Sequence, residues 1–190
     1  MGEFQGLRHH AAVLDLLHGP DPGDHEASAG RRWRGRRRIV TDHRTYFDDL
    51  AVGEVQRSRT LTVDRDAMLD YARRYDPWDF HVDEAAAAQT HFGGLIASGG
   101  YTISLSYILG HETMAKEGKP WAFLGGFDWM LKFQKPVRAG DALTLTDTIL
   151  ELTPSRKGGR GIVKFRREMW NQAGEVVLSI DIVGLVAARA

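Results

Sequence analysis

Between Val55 and Val63 the polar residues Gln56, Ser58, Thr60 and Thr62 fall on every second position, the period-two pattern of a strand with one buried face. The period then lengthens. Met68, Tyr71, Ala72 and Tyr75 recur at helical spacing behind Asp64, a good N-cap, and Arg73 and Arg74 occupy the last turn, where cations favour the helix dipole. Pro77 disfavours helical geometry at Asp76, so this helix ends there. A short helix with an acidic first turn is predicted over Val82 to Ala88. From Ser98 to Met114 the residues Tyr101, Ile103, Leu105, Tyr107, Ile108 and Leu109 leave almost no polar face, which predicts a helix buried all round.

Beyond the break Lys116-Glu117-Gly118-Lys119-Pro120 the pattern becomes β-rich. Leu143 to Leu152, Ile162 to Trp170 and Val176 to Val186 read as strands, separated by turns at Arg156-Lys157-Gly158-Gly159 and Asn171-Gln172-Ala173-Gly174. Consecutive antiparallel hairpins follow. Helices first and strands afterwards predict an α+β fold, a sheet packed on a helix.

The first 45 residues break this order. Gly19-Pro20-Asp21-Pro22-Gly23-Asp24 is a cluster of helix and strand breakers, and Arg31-Arg32-Trp33-Arg34-Gly35-Arg36-Arg37-Arg38 is a basic run. We read residues 1–45 as a disordered basic extension and residues 46–190 as one domain. A chain of 190 residues with 43% hydrophobic content suits one good core. Its 25 basic and 25 acidic side chains cancel, so no overall field draws it to nucleic acid or acidic membranes. The apolar piece Ala11 to Leu17 carries a charge and is too short to span a bilayer. There is no cysteine, which excludes disulfides, thiolate nucleophiles and sulfur-bound zinc, and suits the cytoplasm as the expected compartment.

Candidate chemistry centres on Asp76-Pro77-Trp78-Asp79-Phe80-His81. A carboxylate and an imidazole five residues apart, in what reads as a loop between helices, suit proton transfer, because a general base needs a partner that sets its charge and tautomer. A glycine-rich turn, Phe92-Gly93-Gly94-Leu95-Ile96-Ala97-Ser98-Gly99-Gly100, then leads into the long apolar helix. Gly99 opens that helix, where free N–H groups face outward and a missing side chain lets a carbonyl approach. Position 100 need only be helical. His91 and His111 stand alone without metal-ligand spacing, so no metal is expected.

The order of these pieces, with Asp76 and His81 five apart, Ile96-Ala97-Ser98-Gly99 as an Ile-x-x-Gly turn, and Phe133-Gln134-Lys135-Pro136-Val137-Arg138-Ala139-Gly140-Asp141 downstream, resembles the MaoC-like, or (R)-specific enoyl-CoA hydratase, family of hot-dog proteins. The likeness covers about residues 46 to 188. This chain has Trp78 and Asp79 where the family usually has Asn and Pro, and Ser98 where many members have His. A carboxylate at Asp79 near His81 would favour imidazolium. The resemblance implies a single hot-dog fold, a long helix wrapped by an antiparallel sheet; no internal repeat points to a tandem double hot dog. It also implies a homodimer and a hydro-lyase that adds water to a trans-2-enoyl-CoA. Asp76 and His81 would hold the water, and Gly99 would donate to the thioester oxygen.

Coenzyme A would enter only as part of the substrate, with no other cofactor. Its phosphates would need cations, for which Lys132, Lys135, Arg138, Arg156, Lys157 and Arg160 are the candidates. Trp78, Trp121, Phe123, Phe127 and Trp129 are expected in the core or a dimer interface. The alternatives are a hot-dog thioesterase, which would carry its carboxylate on the long helix, and a non-catalytic acyl-CoA-binding module. Residues 99 to 111 contain neither Asp nor Glu.

Overall fold

The computed structural model describes residues 43–189; the basic extension, apart from its last three residues, lies outside them. Thr45, just before the domain boundary read from composition, is buried and forms a parallel bridge with Trp121. Its amide donates to the Pro120 carbonyl at 2.9 Å.

The helical half follows the predicted periodicity closely. Helix α1 (Arg65–Tyr75) is capped by the Asp64 carboxylate, which accepts from the Ala67 amide, and buries Met68, Leu69 and Ala72. Tyr75, expected on the buried face, is exposed because the chain turns away at Asp76. The predicted helix over 82–88 is two pieces, α2 (Asp79–Val82) and α3 (Glu84–Ala88), hinged at Asp83, whose extended backbone and capping carboxylate restart the helix. Helix α4 (Gly99–Thr113) is capped by Ser98. It buries Tyr101, Thr102, Leu105, Ser106, Leu109 and Gly110, but Tyr107 and Ile108 are each 48% exposed, so it is not buried all round.

The Val55–Val63 segment is broken into β1 (Val55–Arg57) and β2 (Leu61–Thr62). The break shifts the pleat. Ser58 is buried, with its hydroxyl accepting from the Leu145 amide, whereas Val55 is exposed and Val63 lies in the core. The Lys116–Pro120 break forms a small hairpin, β3 (Ala115–Lys116) with β4 (Lys119–Pro120). Glu117, with φ of 52°, and Gly118, with φ of 74°, make that turn.

Next come β5 (Phe123–Phe133), β6 (Ala142–Pro154), β7 (Arg160–Trp170) and β8 (Val176–Ala187). The last three fall where the sequence predicts strands, and β6 and β7 alternate buried and part-buried positions. Strand β5 has no clean alternation: Gly125 and Gly126 interrupt it and its register slips twice there. The antiparallel sheet runs β1-β6-β7-β8-β5, with β2 also on β6. It wraps α4 on one face, the α+β hot-dog arrangement expected.

Two features fix the helix on the sheet. One is apolar: Leu143, Leu145, Ile149, Phe165, Met169, Ile180 and Ile182 face Leu105 and Leu109, and each fully buried aliphatic side chain stabilises by about 1.5–3 kcal/mol. The other is ionic. Arg167 on β7 and Asp147 on β6 are 3% and 1% exposed and form a forked pair, Nε to Oδ1 at 2.9 Å and Nη2 to Oδ2 at 2.7 Å. Thr113 donates to the same carboxylate at 2.7 Å, and Arg167 donates to the Ser106 carbonyl at 3.2 Å. Gly110 is required here, because a Cβ would lie 2.3 Å from the guanidinium.

A buried pair of this kind costs more to break than to replace. Asp147→Ala or Arg167→Met alone should destabilise by about 3–5 kcal/mol, and the double variant Asp147→Leu/Arg167→Met should recover most of that. Urea unfolding of the three variants checks this; equal losses in single and double variants would show the pair is indispensable rather than costly.

Candidate functional site

Strand β5 ends at the sheet edge opposite β1, and two strands separate it from β6, so residues 134–141 must cross the ends of β8 and β7. That crossing loop is pinned at three points. The Gln134 amide donates to the Val177 carbonyl, the Val137 carbonyl accepts from Ala97, and the Gly140 amide donates to Val63. Between this loop and the start of α4 opens a cleft of about 360 Å³. Its walls are Phe92, Ile96, Ala97, Phe133, Pro136 and Val137, with His81, Gly99 and Thr102 as the chemically distinctive groups.

His81 was expected on a loop; it sits on the single turn of α2, between Asp79 and Val82, and is 5% exposed. Its Nδ1 lies 2.9 Å from the Ile96 carbonyl oxygen, which can only accept, so Nδ1 carries a proton. The other ring nitrogen, Nε2, is 3.5 Å from Asp76 Oδ2. Asp76 ends α1 with φ −154° and ψ 64°, its amide still donating to Ala72 and its carbonyl accepting from Trp78. Pro77 and the Asp76–Trp78 turn thus direct the Asp76 carboxylate and the α2 imidazole at one another. Asp79 is exposed at the start of α2, and the carboxylate that pairs with His81 is Asp76.

Gly99 is the first residue of α4. Ser98 caps the helix by accepting from Tyr101, and Thr102 bonds to the Ser98 carbonyl, so the Gly99 and Gly100 amides have no intrahelical acceptor. A Cβ at Gly99 would lie 3.0 Å from the Phe133 ring. Position 100 is not free to carry a side chain, contrary to the expectation from helix propensity. A Cβ there would meet the Tyr71 hydroxyl at 2.7 Å and its ring at 3.3 Å. Tyr71 is itself held between Tyr75 and Tyr101. Burial, and secondarily the Asp64 charge, holds the Tyr101 hydroxyl above its usual pKa.

The candidate cations do not converge. Arg156, Lys157 and Arg160 cluster at the β6–β7 turn, at the far end of β7 and about 30 Å along the strand from the cleft. Lys132 faces the outer side of the sheet. Lys135 lines the cleft and pairs with Glu175 at 3.3 Å. Arg138 donates to backbone carbonyls at the cleft's edge, a role its place in a turn gave no hint of. Of the aromatic group, Trp121 packs edge-on against Phe165 in the core, while Trp78 and Trp129 are exposed.

A larger cavity of about 620 Å³ lies on the outer sheet face around Met130, Lys132, Arg166 and Asp181. Arg166 and Asp181 neutralise each other there at 2.7 Å, and the hydrogen bond from Arg166 holds the Asp181 carboxyl below its usual range. His81, with Asp76 3.5 Å from its Nε2, lines the smaller cleft together with Gly99, so that cleft is the candidate site. Among the described residues no group of three or more His, Asp or Glu side chains is placed to hold a metal, and no helix is long and apolar enough to cross a membrane.

Chemically, the arrangement combines two acceptors close enough to share a water with a largely apolar cleft that His81 and the first residue of α4 both line. Comparison with known proteins points the same way. The profile of the MaoC like domain matches residues 49–166. An (R)-specific enoyl-CoA hydratase of Rhodospirillum rubrum is 31% identical over 145 residues, 76% of this chain and 93% of its own length. The uncharacterized protein YdeM of Bacillus subtilis is 32% identical over 132 residues, 66% of this chain and 87% of its own. The crystal structure of a MaoC-like dehydratase from Rhodospirillum rubrum superposes with a TM-score of 0.69 at 34% identity, covering 77% of this chain and 99% of that one.

The two glycines at the head of α4 should respond to substitution for different reasons. Gly100→Ala should lower the melting temperature, because crowding Tyr71 costs about 1–3 kcal/mol against a gain of about 1 kcal/mol in helix propensity. A rise in melting temperature would mean that Tyr71 yields freely.

Proposed function

Because the chain belongs to the MaoC-like domain family, we propose that it is a hydro-lyase that adds water reversibly to a trans-2-enoyl-CoA to give a (3R)-hydroxyacyl-CoA. The observation that carries this is His81, paired with Asp76, in an apolar cleft that it lines together with Gly99, the first residue of α4. With the Nδ1 proton committed to Ile96, neutral His81 presents an Nε2 lone pair beside the Asp76 carboxylate, two acceptors for the two hydrogens of one water. The water oxygen attacks C3 of the enoyl group as its proton passes to this pair. The electron pair of the alkene moves toward the thioester, and a proton returned from the pair reaches C2.

Negative charge developing on the thioester oxygen is met by the Gly99 amide, preorganised and without an intrahelical acceptor. The apolar walls exclude competing water and hold the alkene near the pair. Coenzyme A belongs to the substrate, and the reaction needs no separate cofactor. No carboxylate on α4 precedes Glu112, which sits at its far end bonded to Arg59, so a thioesterase with its acid on the long helix is the weaker reading.

A homodimer is part of this proposal. Among the described residues strand β5 has no neighbour on its outer edge, and exposed Tyr107, Ile108, Trp129, Leu131 and Phe133 form an apolar flank beside it that a second copy would cover. The expected compartment is the cytoplasm.

Crotonyl-CoA should lose its enoyl absorbance without releasing thiol. Thiol release would favour the thioesterase, and neither signal would favour a binding module or another acyl group. With an accepted substrate, Asp76→Asn and His81→Gln should each cost about 10²–10⁴-fold in kcat, and the double variant should lose little more, because the two act on one water. Near-normal turnover by either single variant would remove that residue from the mechanism.

A further inference from the structure

We propose that Arg138 is a positioning residue: it clamps the backbone segment that carries the Ile96 carbonyl and thereby holds His81 in the tautomer that leaves Nε2 free. The inference builds on the hydration reading for its kinetic consequence, while the tautomer itself is a property of the unliganded protein.

The segment from Phe92 to Ala97 has no regular structure to fix it. Gly93 and Gly94 bend it with φ of 64° and 154°. Two of those carbonyls meet the same guanidinium. Arg138 Nη1 donates to the Leu95 carbonyl at 3.0 Å and Nη2 donates to the Phe92 carbonyl. The next carbonyl along, that of Ile96, accepts from His81 Nδ1 at 2.9 Å. The clamp is anchored at its other end as well. The Arg138 amide donates to Asp141 Oδ2 at 2.7 Å, and the preceding Val137 carbonyl accepts from Ala97 at 2.7 Å.

Arginine suits this task for a physical reason. A planar fork of donors engages two carbonyls in a fixed relative geometry, whereas an ammonium is a point donor on a flexible stem. The guanidinium also packs tightly on the bend, since a Cβ at Gly94 would lie 3.3 Å from Nη1. No carboxylate pairs with the Arg138 side chain among the described ion pairs, so its donors serve main-chain carbonyls rather than an acidic partner.

The tautomer matters because a neutral imidazole has one N–H and one lone pair, and the partner of one nitrogen decides the state of the other. If the Ile96 carbonyl drifts, the proton can move to Nε2. His81 then offers Asp76 and the cleft a donor where a base is required.

The test reads the tautomer directly. In ¹⁵N-labelled protein, with the His81 resonances assigned by their loss in His81→Gln, neutral wild-type His81 should show the Nδ1–H form. Arg138→Met keeps the apolar stem and removes the fork. It should shift His81 toward the Nε2–H form and lower kcat by about 10–100-fold with KM little changed, the scale expected when a catalytic group is misplaced by about an ångström. Arg138→Lys, which can reach one carbonyl at a time, should fall between. If Arg138→Met does not fold, Arg138→Lys decides. Unchanged tautomer and turnover in the folded variant would overturn the proposal, as would a loss of activity that only follows the fraction folded. Should the wild type hydrate no enoyl-CoA, the functional reading fails, but the tautomer shift still decides the role of Arg138.

Discussion

The buried pair of Arg167 and Asp147 constrains everything built above it. Neither charge tolerates burial alone, so β6 and β7 must present them in register, and the lone pairs and protons left over must find partners on the helix. Thr113 and the Ser106 carbonyl supply those partners, and Gly110 supplies the clearance. Apolar packing alone allows a helix to slide or rotate on a sheet at modest cost. An ion pair with specific acceptors on the helix does not, so α4 has one depth and one rotation. Where its N-terminus emerges at the cleft is thereby decided some three turns away.

The site is assembled from pieces that individually have little stability: a single helical turn, a bent glycine segment and a loop crossing the sheet end. Each is tied to the others by main-chain bonds, with Ile96 to Phe80, Ala97 to Val137 and Gly140 to Val63. His81 and Arg138 add side-chain bonds to the same segment, at Ile96 and Leu95. Such cross-tied loops hold a geometry that no single one of them could keep. They also explain why a cation that looks available for a phosphate is engaged elsewhere.

Membership of the MaoC-like family and the likeness to hydratase relatives bear on the chemistry, but this chain carries its own variations. Trp78 stands exposed beside Asp76, stacked parallel to Phe80 at 6.3 Å, and Phe80 in turn packs edge-on to His81 at 4.4 Å. The aromatic side chains stiffen the turn that aims the pair. They give it a hydrophobic outer surface where a smaller polar residue would leave it hydrated.

Much of the architecture was legible from local pattern. Asp64, Ser98 and Pro77 mark helix ends because capping and ring geometry act within a few residues; β7 shows itself by alternation because it has one dry face, and β6 and β8 by their strand-favouring composition. Strand β5 was not legible: its glycine bulges and exposed apolar residues reflect a free edge, which exists only once the sheet is formed. The parity change at Ser58 arises for a similar reason, since a long-range bond to Leu145 decides which face is inside.

For the candidate site, the spacing of Asp76, His81 and Gly99 picked out residues that the fold brings near one another, and their mutual geometry followed from the fold. By itself the sequence determined the main helices, most of the strands and the residue types capable of proton transfer, because those depend on interactions between near neighbours. Only the tertiary structure decided that Arg138 serves the loop, that Gly100 abuts Tyr71 and that His81 faces Ile96. These contacts join residues 15 to 46 positions apart or lie between packed helices, and no local period encodes them.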